Sequence, residues 1–123
     1  MIHEEICTYE LCKLAKEKGF NEYVEAFYAE DCDTAHSQGP EKWNEYKDRY
    51  AAPTQSLLQR WLREEKSIHI KISVSVNDKH CFYWTLYNKG SDCWEDTGMC
   101  YCEYSTYELA LEDALKYALE ELI

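Results

Sequence analysis

Five side chains in the second half of the chain could hold a metal or act as nucleophiles: His80, Cys81, Cys93, Cys100 and Cys102. Tetrahedral zinc takes four nitrogen or sulfur donors, usually from knuckles in which two to about four residues separate paired cysteines. No such knuckle occurs, because Cys93 and Cys100 stand seven positions apart and Cys100 and Cys102 only two. Cys7 and Cys12, five apart in a helix-like stretch, fall on nearly opposite sides. A cysteine nucleophile needs a histidine beside it and electropositive surroundings. His80 and Cys81 are adjacent in a strand pattern and so point to opposite faces. Cys32 and His36 lie among Glu30, Asp31 and Asp33, carboxylates that disfavour a thiolate. The paired acids themselves, such as Glu112 and Asp113, sit in solvated runs rather than in the dry pocket that a general acid requires. The expectation is no catalytic constellation, no metal site, no cofactor and no enzyme.

The chain's 123 residues and 46% apolar content suit a single α+β domain spanning residues 1–123. "MIHEEICTYE" offers acids where a signal peptide needs positive charge, and no stretch approaches the ~20 apolar residues of a membrane span. Both features predict a cytoplasmic protein. Seven cysteines, an odd number, then read as free and mostly buried thiols. The net charge of −11 removes the phosphate-neutralising cations on which nucleic-acid binding depends. It disfavours direct nucleic-acid and anionic-membrane contact and is compatible with a basic protein partner.

The elements follow from periodicity. "TYELCKLAKEKGF" predicts a helix from about Tyr9 to Lys18, capped by Thr8 and stopped at Gly19. Residues 20–52 form an acidic, aromatic-rich excursion, which is expected either to hold short helical turns near Tyr23 to Phe27 and Lys42 to Tyr50 or to be a functional excursion, the two being compatible. From Thr54 onward, Leu57, Leu58, Trp61 and Leu62 mark a second amphipathic helix. The period then becomes two: Ile68, Ile70, Ile72, Val74 and Val76 share one face of a strand. "HCFYWTLYN" returns antiparallel. A three-residue turn at Asn77 to Lys79 pairs Val74 with Phe82, Ile72 with Trp84 and Ile70 with Leu86. A two-residue turn would instead expose the aromatic side chains, so burial selects the former.

A third short strand, about Met99 to Tyr104, turns Cys100 and Cys102 inward and Tyr101 and Glu103 outward. In "STYELALEDALKYALEELI", Ser105 and Glu108 have the spacing of a capping box, with Thr106 as the rival cap. Leu111, Ala114, Leu115, Ala118, Leu119 and Leu122 form an apolar stripe, with Glu112, Asp113, Lys116 and Glu120 expected in water. The expected fold is thus a three-stranded antiparallel meander with helices on one face. Its order in residues 54–122 is helix-strand-strand-strand-helix, preceded by an N-terminal helix.

Two blocks, "LAKEKGF" with "PTQSLLQRWLREEKSIHI" and the terminal "STYELALEDALKYALEELI", resemble a family of small uncharacterised proteins encoded on prophages and other mobile elements of gut anaerobic bacteria. The likeness spans residues 8–20 and 53–123 and leaves 21–52 as a variable segment. It implies a bacterial cytoplasm and a small α+β domain, and it supplies no catalytic residues. The helix-strand-strand-strand-helix order also resembles the topology of double-stranded-RNA-binding domains. Those domains grip phosphates through basic residues at the start of their last helix, where this chain has Glu108, Glu112 and Asp113.

What remains as a candidate site is the outward face of the meander. His69, Tyr83, Tyr87 and Tyr101 are rings with polar tips, the residue kind enriched where partners dock. Either the chain folds its own aromatic segment over that face or a protein partner uses it, and homodimerisation would satisfy both. An acidic mimic of nucleic acid, blocking a basic DNA-binding protein, is the second reading, and a thiol or metal protein the third.

Overall fold

A computed structural model describes residues 4–74, 81–89 and 94–123, with side chains described except at 89 and 94–103. The chain is α+β, with three α-helices, one short 3-10 helix and two antiparallel sheets among the described residues. It divides into two compact units, Met1–Leu58 and Gln59–Ile123.

The first unit opens with helix α1 (Tyr9–Glu17). Thr8 caps it, its hydroxyl accepting from the Leu11 N–H at 3.4 Å, and Gly19 follows at φ 98° in the left-handed region that ends helices. Leu11, Cys12 and Ala15 are buried. Strands β1 (Val24–Ala29), β2 (Ala35–Glu41) and β3 (Arg49–Ala51) then make a sheet in the order β2-β1-β3.

Here the expected helical turn at Tyr23 to Phe27 is a strand. The reason is that β1 is covered on both faces, which erases the apolar-polar alternation of a half-buried strand. On one face Tyr28 donates its hydroxyl to the Cys7 carbonyl at 2.8 Å. On the other, Phe27 packs against Trp43, ring centroids 4.5 Å apart. The expected turn at Lys42 to Tyr50 is in part a short 3-10 helix, Trp43–Glu45, before β3 begins. The excursion is therefore a folded sheet. Its register slips between Val24 and Ala26, which pair with Glu41 and Ser37, so Gln38, Gly39 and Pro40 bulge out of β2. Gly39 takes φ 95° to make that bulge.

Helix α2 (Gln55–Lys66) carries the division between the units. In the first unit the Thr54 hydroxyl accepts from the Leu57 N–H, and the Gln55 N–H donates to the Glu5 carbonyl. Farther along, Leu58, Trp61 and Leu62 are buried, as their spacing predicts. The helix stops without glycine: Ser67 itself adopts φ 57°.

The second unit is a meander in the expected order β4-β5-β6, with β4 (Ile68–Val74), β5 (Phe82–Lys89) and β6 (Trp94–Tyr104), but β6 begins at Trp94 rather than near Met99, so residues 94–98 extend the strand instead of belonging to the loop before it. Ile70 pairs with Leu86, Ile72 with Trp84 and Val74 with Phe82, the register that burial of the apolar face selects. Helix α3 (Tyr107–Glu121) packs on this sheet with Ala110, Leu111, Ala114, Leu115, Ala118 and Leu119 buried. Thr106, not Ser105, is its cap.

Two further expectations change here. Val74, at the end of β4, is 53% exposed rather than in the core. Asp113 does not simply face water: its carboxylate accepts from the Trp84 indole N–H at 3.0 Å and from the Tyr104 hydroxyl. A helical stripe defined by leucines leaves the next residue around free to turn either way, and the buried indole N–H needs an acceptor.

Candidate functional site

The meander's outer face is built as its alternation predicts. His69 stands directly across from Tyr87, Lys71 from Thr85 and Ser73 from Tyr83. Yet it is not an open platform. His69, Tyr83 and Tyr87 are half-buried, and Thr85, in the middle, is only 3% exposed. Desolvation, with the Arg63 charge second, lowers the pKa of His69 below its ordinary value and favours the neutral ring. The backbone register sets Trp84 opposite Cys100, the partner expected for that thiol. The side chains of Tyr101, Cys100 and Cys102, and all of His80 and Cys93, lie outside the described residues. Among the described residues, no group of three or more His, Cys, Asp or Glu side chains could hold a metal ion. Among the described residues, Cys12 and Cys32 are free thiols.

A different surface offers more room. In the first unit, the bulge of β2 and the departure of the chain after Ala52 leave the Val24 end of β1 partly uncovered. A pocket of about 320 Å³ opens there, at the small end of ligand-sized clefts. Its walls include Ile6, Tyr23, Val24, Ala26, Leu57 and Glu25.

Several local features position these side chains. Val24 and Ala26 lie on one face of β1, with Ser37 paired to Ala26. Ile6 is brought in by an isolated antiparallel bridge to Thr54, flanked by the Cys7 N–H donating to the Pro53 carbonyl. Leu57 comes from the first turn of α2. Although Val24 and Ala26 are buried, Ile6 is 38% and Tyr23 63% exposed. An apolar wall thus ends in two large side chains that water still reaches.

Carboxylates neighbour the pocket residues in sequence or register. Glu5, Glu22 and Glu25 are exposed, and Glu41 is the register partner of Val24. Among the described residues, neither Glu22 nor Glu25 makes an ion pair. The cation at the rim, Lys42, lies over the Tyr23 ring at 5.3 Å. Comparison with models of protein families, with curated proteins and with solved structures found no match.

Elsewhere in the first unit Lys13 and Lys47 are exposed, while two half-buried cations lie against rings and carbonyls. The Arg49 guanidinium lies 4.7 Å from the Phe27 ring, 5.1 Å from Tyr46 and 5.4 Å from Trp43. The Lys16 ammonium donates to the carbonyls of Tyr46 and Arg49 at 2.7 and 2.9 Å and sits over Tyr50. Tyr9 stacks edge-on against Tyr28 and Tyr50, above a wider and more polar hollow lined by Thr8, Glu10 and Asp33. Burial, then the neighbouring Tyr9 and Glu30, raise the Tyr50 pKa and keep the phenol neutral.

The sequence reading missed Ile6, Tyr23, Val24, Glu25 and Ala26. The available signal was the tract "VEAFYA", which satisfies a period of two only if both faces are apolar. Ile6 carried no signal at all, since a single bridge between distant segments leaves no local pattern.

Proposed function

We propose that this chain is a non-enzymatic protein-interaction module of phage or mobile-element origin, working in a bacterial cytoplasm and docking its partner at the pocket of the first unit. The observation that carries the reading is the exposure of Ile6 and Tyr23 at the mouth of an apolar pocket. Exposed apolar side chains around a concave apolar surface are what a protein interface presents before binding. The half-buried state of His69, Tyr83 and Tyr87 makes the meander face the weaker dock. Free thiols support a reducing compartment. No helix among the described residues is long and apolar enough to cross a membrane.

Immobilised chain, challenged with bacterial lysate, tests the reading. A protein retained by the wild type and by Tyr83→Ala, but lost from Ile6→Ser and Tyr23→Ser, supports docking at the pocket. Retention by Ile6→Ser and loss from Tyr83→Ala returns the interface to the meander.

A second reading, the acidic nucleic-acid mimic, draws support from the way Arg49 and Lys16 are tied to rings and carbonyls, leaving a surface dominated by carboxylates. It requires capture of a basic protein that falls away as salt rises. Capture indifferent to salt rejects it.

A further inference from the structure

We propose that Arg49 is a carboxylate receptor: its guanidinium, held among the rings of Phe27, Trp43 and Tyr46, takes the carboxylate of a ligand whose single negative charge is joined to an apolar group. The site lies on the face of β1 opposite the pocket, since Phe27 alternates with Val24 and Ala26, and it stands independently of the docking reading above.

The first observation is one of pairing. The chain has 24 acidic side chains against 13 lysines and arginines, and even the exposed Arg60 finds a partner, Glu64 at 3.1 Å. Arg49 is half-buried, yet among the described residues its guanidinium makes no ion pair and donates no hydrogen bond. Glu45, four positions earlier, accepts instead from the Asn21 amide. Among the described residues no side-chain nitrogen or oxygen is buried without a hydrogen-bond partner, so the Arg49 nitrogens reach solvent with their N–H groups undonated.

The second observation is that this donor is held in place. The guanidinium carbon lies 4.7 Å from the Phe27 ring, 5.1 Å from Tyr46 and 5.4 Å from Trp43. An arginine stacked on rings uses the faces of its guanidinium and keeps the fork of N–H groups, which lies in its plane, for an acceptor. The backbone that carries Tyr46 and Arg49 is fixed as well, because Lys16 donates to both carbonyls at 2.7 and 2.9 Å. A carboxylate matches such a fork with two parallel hydrogen bonds, and little side-chain freedom is left to lose when it binds.

Two features choose the rest of the ligand. Tyr46 is 43% exposed beside the guanidinium, so an apolar group attached to the carboxylate has aromatic surface to cover. The net charge of −11 opposes every further negative charge, which favours a monocarboxylate over a dianion. A free organic acid and the C-terminal end of a peptide present this same group.

Nuclear magnetic resonance of the isotope-labelled full chain reads the site through the Nε–H signals of Arg49, Arg60 and Arg63, the chain's three arginines. Phenylacetate is expected to shift the Arg49 signal saturably, with a Kd on the order of 1 mM, and to shift the other two at least about fivefold less. Acetate and the dianion phenylphosphonate should each bind at least about threefold more weakly, and the uncharged phenylacetamide should not move Arg49. Arg49→Lys keeps the charge without the fork and should weaken phenylacetate at least about fivefold, whereas Arg60→Gln and Ile6→Ser should leave it unchanged. N-acetyl-glycyl-phenylalanine binding more tightly than phenylacetate, and lost as its amide, assigns the site to a peptide end; weaker binding assigns it to a free acid.

Equal shifts at all three arginines would reduce the effect to unspecific anion attraction and overturn the proposal. So would phenylacetamide or phenylphosphonate binding as well as phenylacetate, or undiminished binding by Arg49→Lys. Loss of binding in Ile6→Ser would move the ligand to the pocket and also overturn it. If Arg49→Lys does not fold, the wild-type titrations alone decide.

Discussion

The two sheets are both three-stranded and antiparallel, but they are stabilised in different ways. The meander β4-β5-β6 hides one face beneath the leucine and alanine stripe of α3, the ordinary burial of apolar area. The sheet β2-β1-β3 is shorter in its strands and richer in aromatic-cation contacts: Arg49 lies among three rings, and Lys16 is anchored by carbonyls. Polar anchors appear in the meander too, but there the charge is an acceptor, Asp113, facing two donors of the sheet. A small acidic sheet can thus use two half-buried cations, Arg49 and Lys16, to tie rings and carbonyls together.

The sharpest way to break this contrast is to remove the aromatic centre of the first sheet. Trp43 is buried, stacks on Phe27 and donates its indole N–H to the Val24 carbonyl at 2.8 Å. Trp43→Ala should cost about 3–5 kcal/mol by urea denaturation. A loss below about 1 kcal/mol would show that the ring cluster does not hold this sheet.

Next in size is the meander's charged anchor. Asp113→Ala leaves the buried Trp84 N–H without its acceptor and should cost about 2–3 kcal/mol. Asp113→Asn keeps an accepting oxygen and should cost less, so equal losses would deny the carboxylate its role. Arg49→Met preserves the stem but removes the charge, and the loss expected from the ring contacts is about 1 kcal/mol. Because none of those contacts is to a carboxylate, the difference from wild type should change little between low and high salt.

Two smaller effects test the start of the second unit's first strand. Ser67 holds a left-handed φ that glycine adopts without strain, so Ser67→Gly should stabilise by about 0.5–1 kcal/mol in thermal melts. His69 has a folded pKa below its ordinary value of 6.5. Stability from its neutral ring is complete above that value. As pH falls below it, the unfolded chain takes up the proton first and stability declines. His69→Gln should flatten the pH dependence of the denaturation midpoint below about pH 6.5, and an unchanged profile would show that the ring is not desolvated.

Much of the second unit was legible because its signals are local. Ile68, Ile70 and Ile72 alternate, and the leucines of α3 repeat at helical spacing. Burial then chose one register between two that differ by a single residue. Asp113 escaped because helix periodicity assigns a face, whereas a donor on a neighbouring strand decides whether a polar residue at its boundary turns inward. The first sheet was read as turns because Phe27 and Tyr28 are both buried, on opposite faces, which removes the alternation that identifies a strand. Of the candidate site residues, the sequence set His69, Tyr83 and Tyr87 on a common face, but their half-buried state depends on packing that alternation does not encode.

By itself, then, the sequence determined the helix cap at Thr8, the apolar stripes, the order and register of β4 and β5, and an acidic balance of −11, while the choice of Thr106 over Ser105 as the cap of α3 waited for the structure. Periodicity and charge are properties of neighbouring residues, and they survive without a fold. Only the tertiary structure decided that residues 24–51 form a sheet, that Arg49 lies among rings, and that Ile6 meets Tyr23 and Leu57 around a pocket. Those arrangements join segments tens of residues apart, where loop closure and two-sided burial leave no repeating trace in the chain.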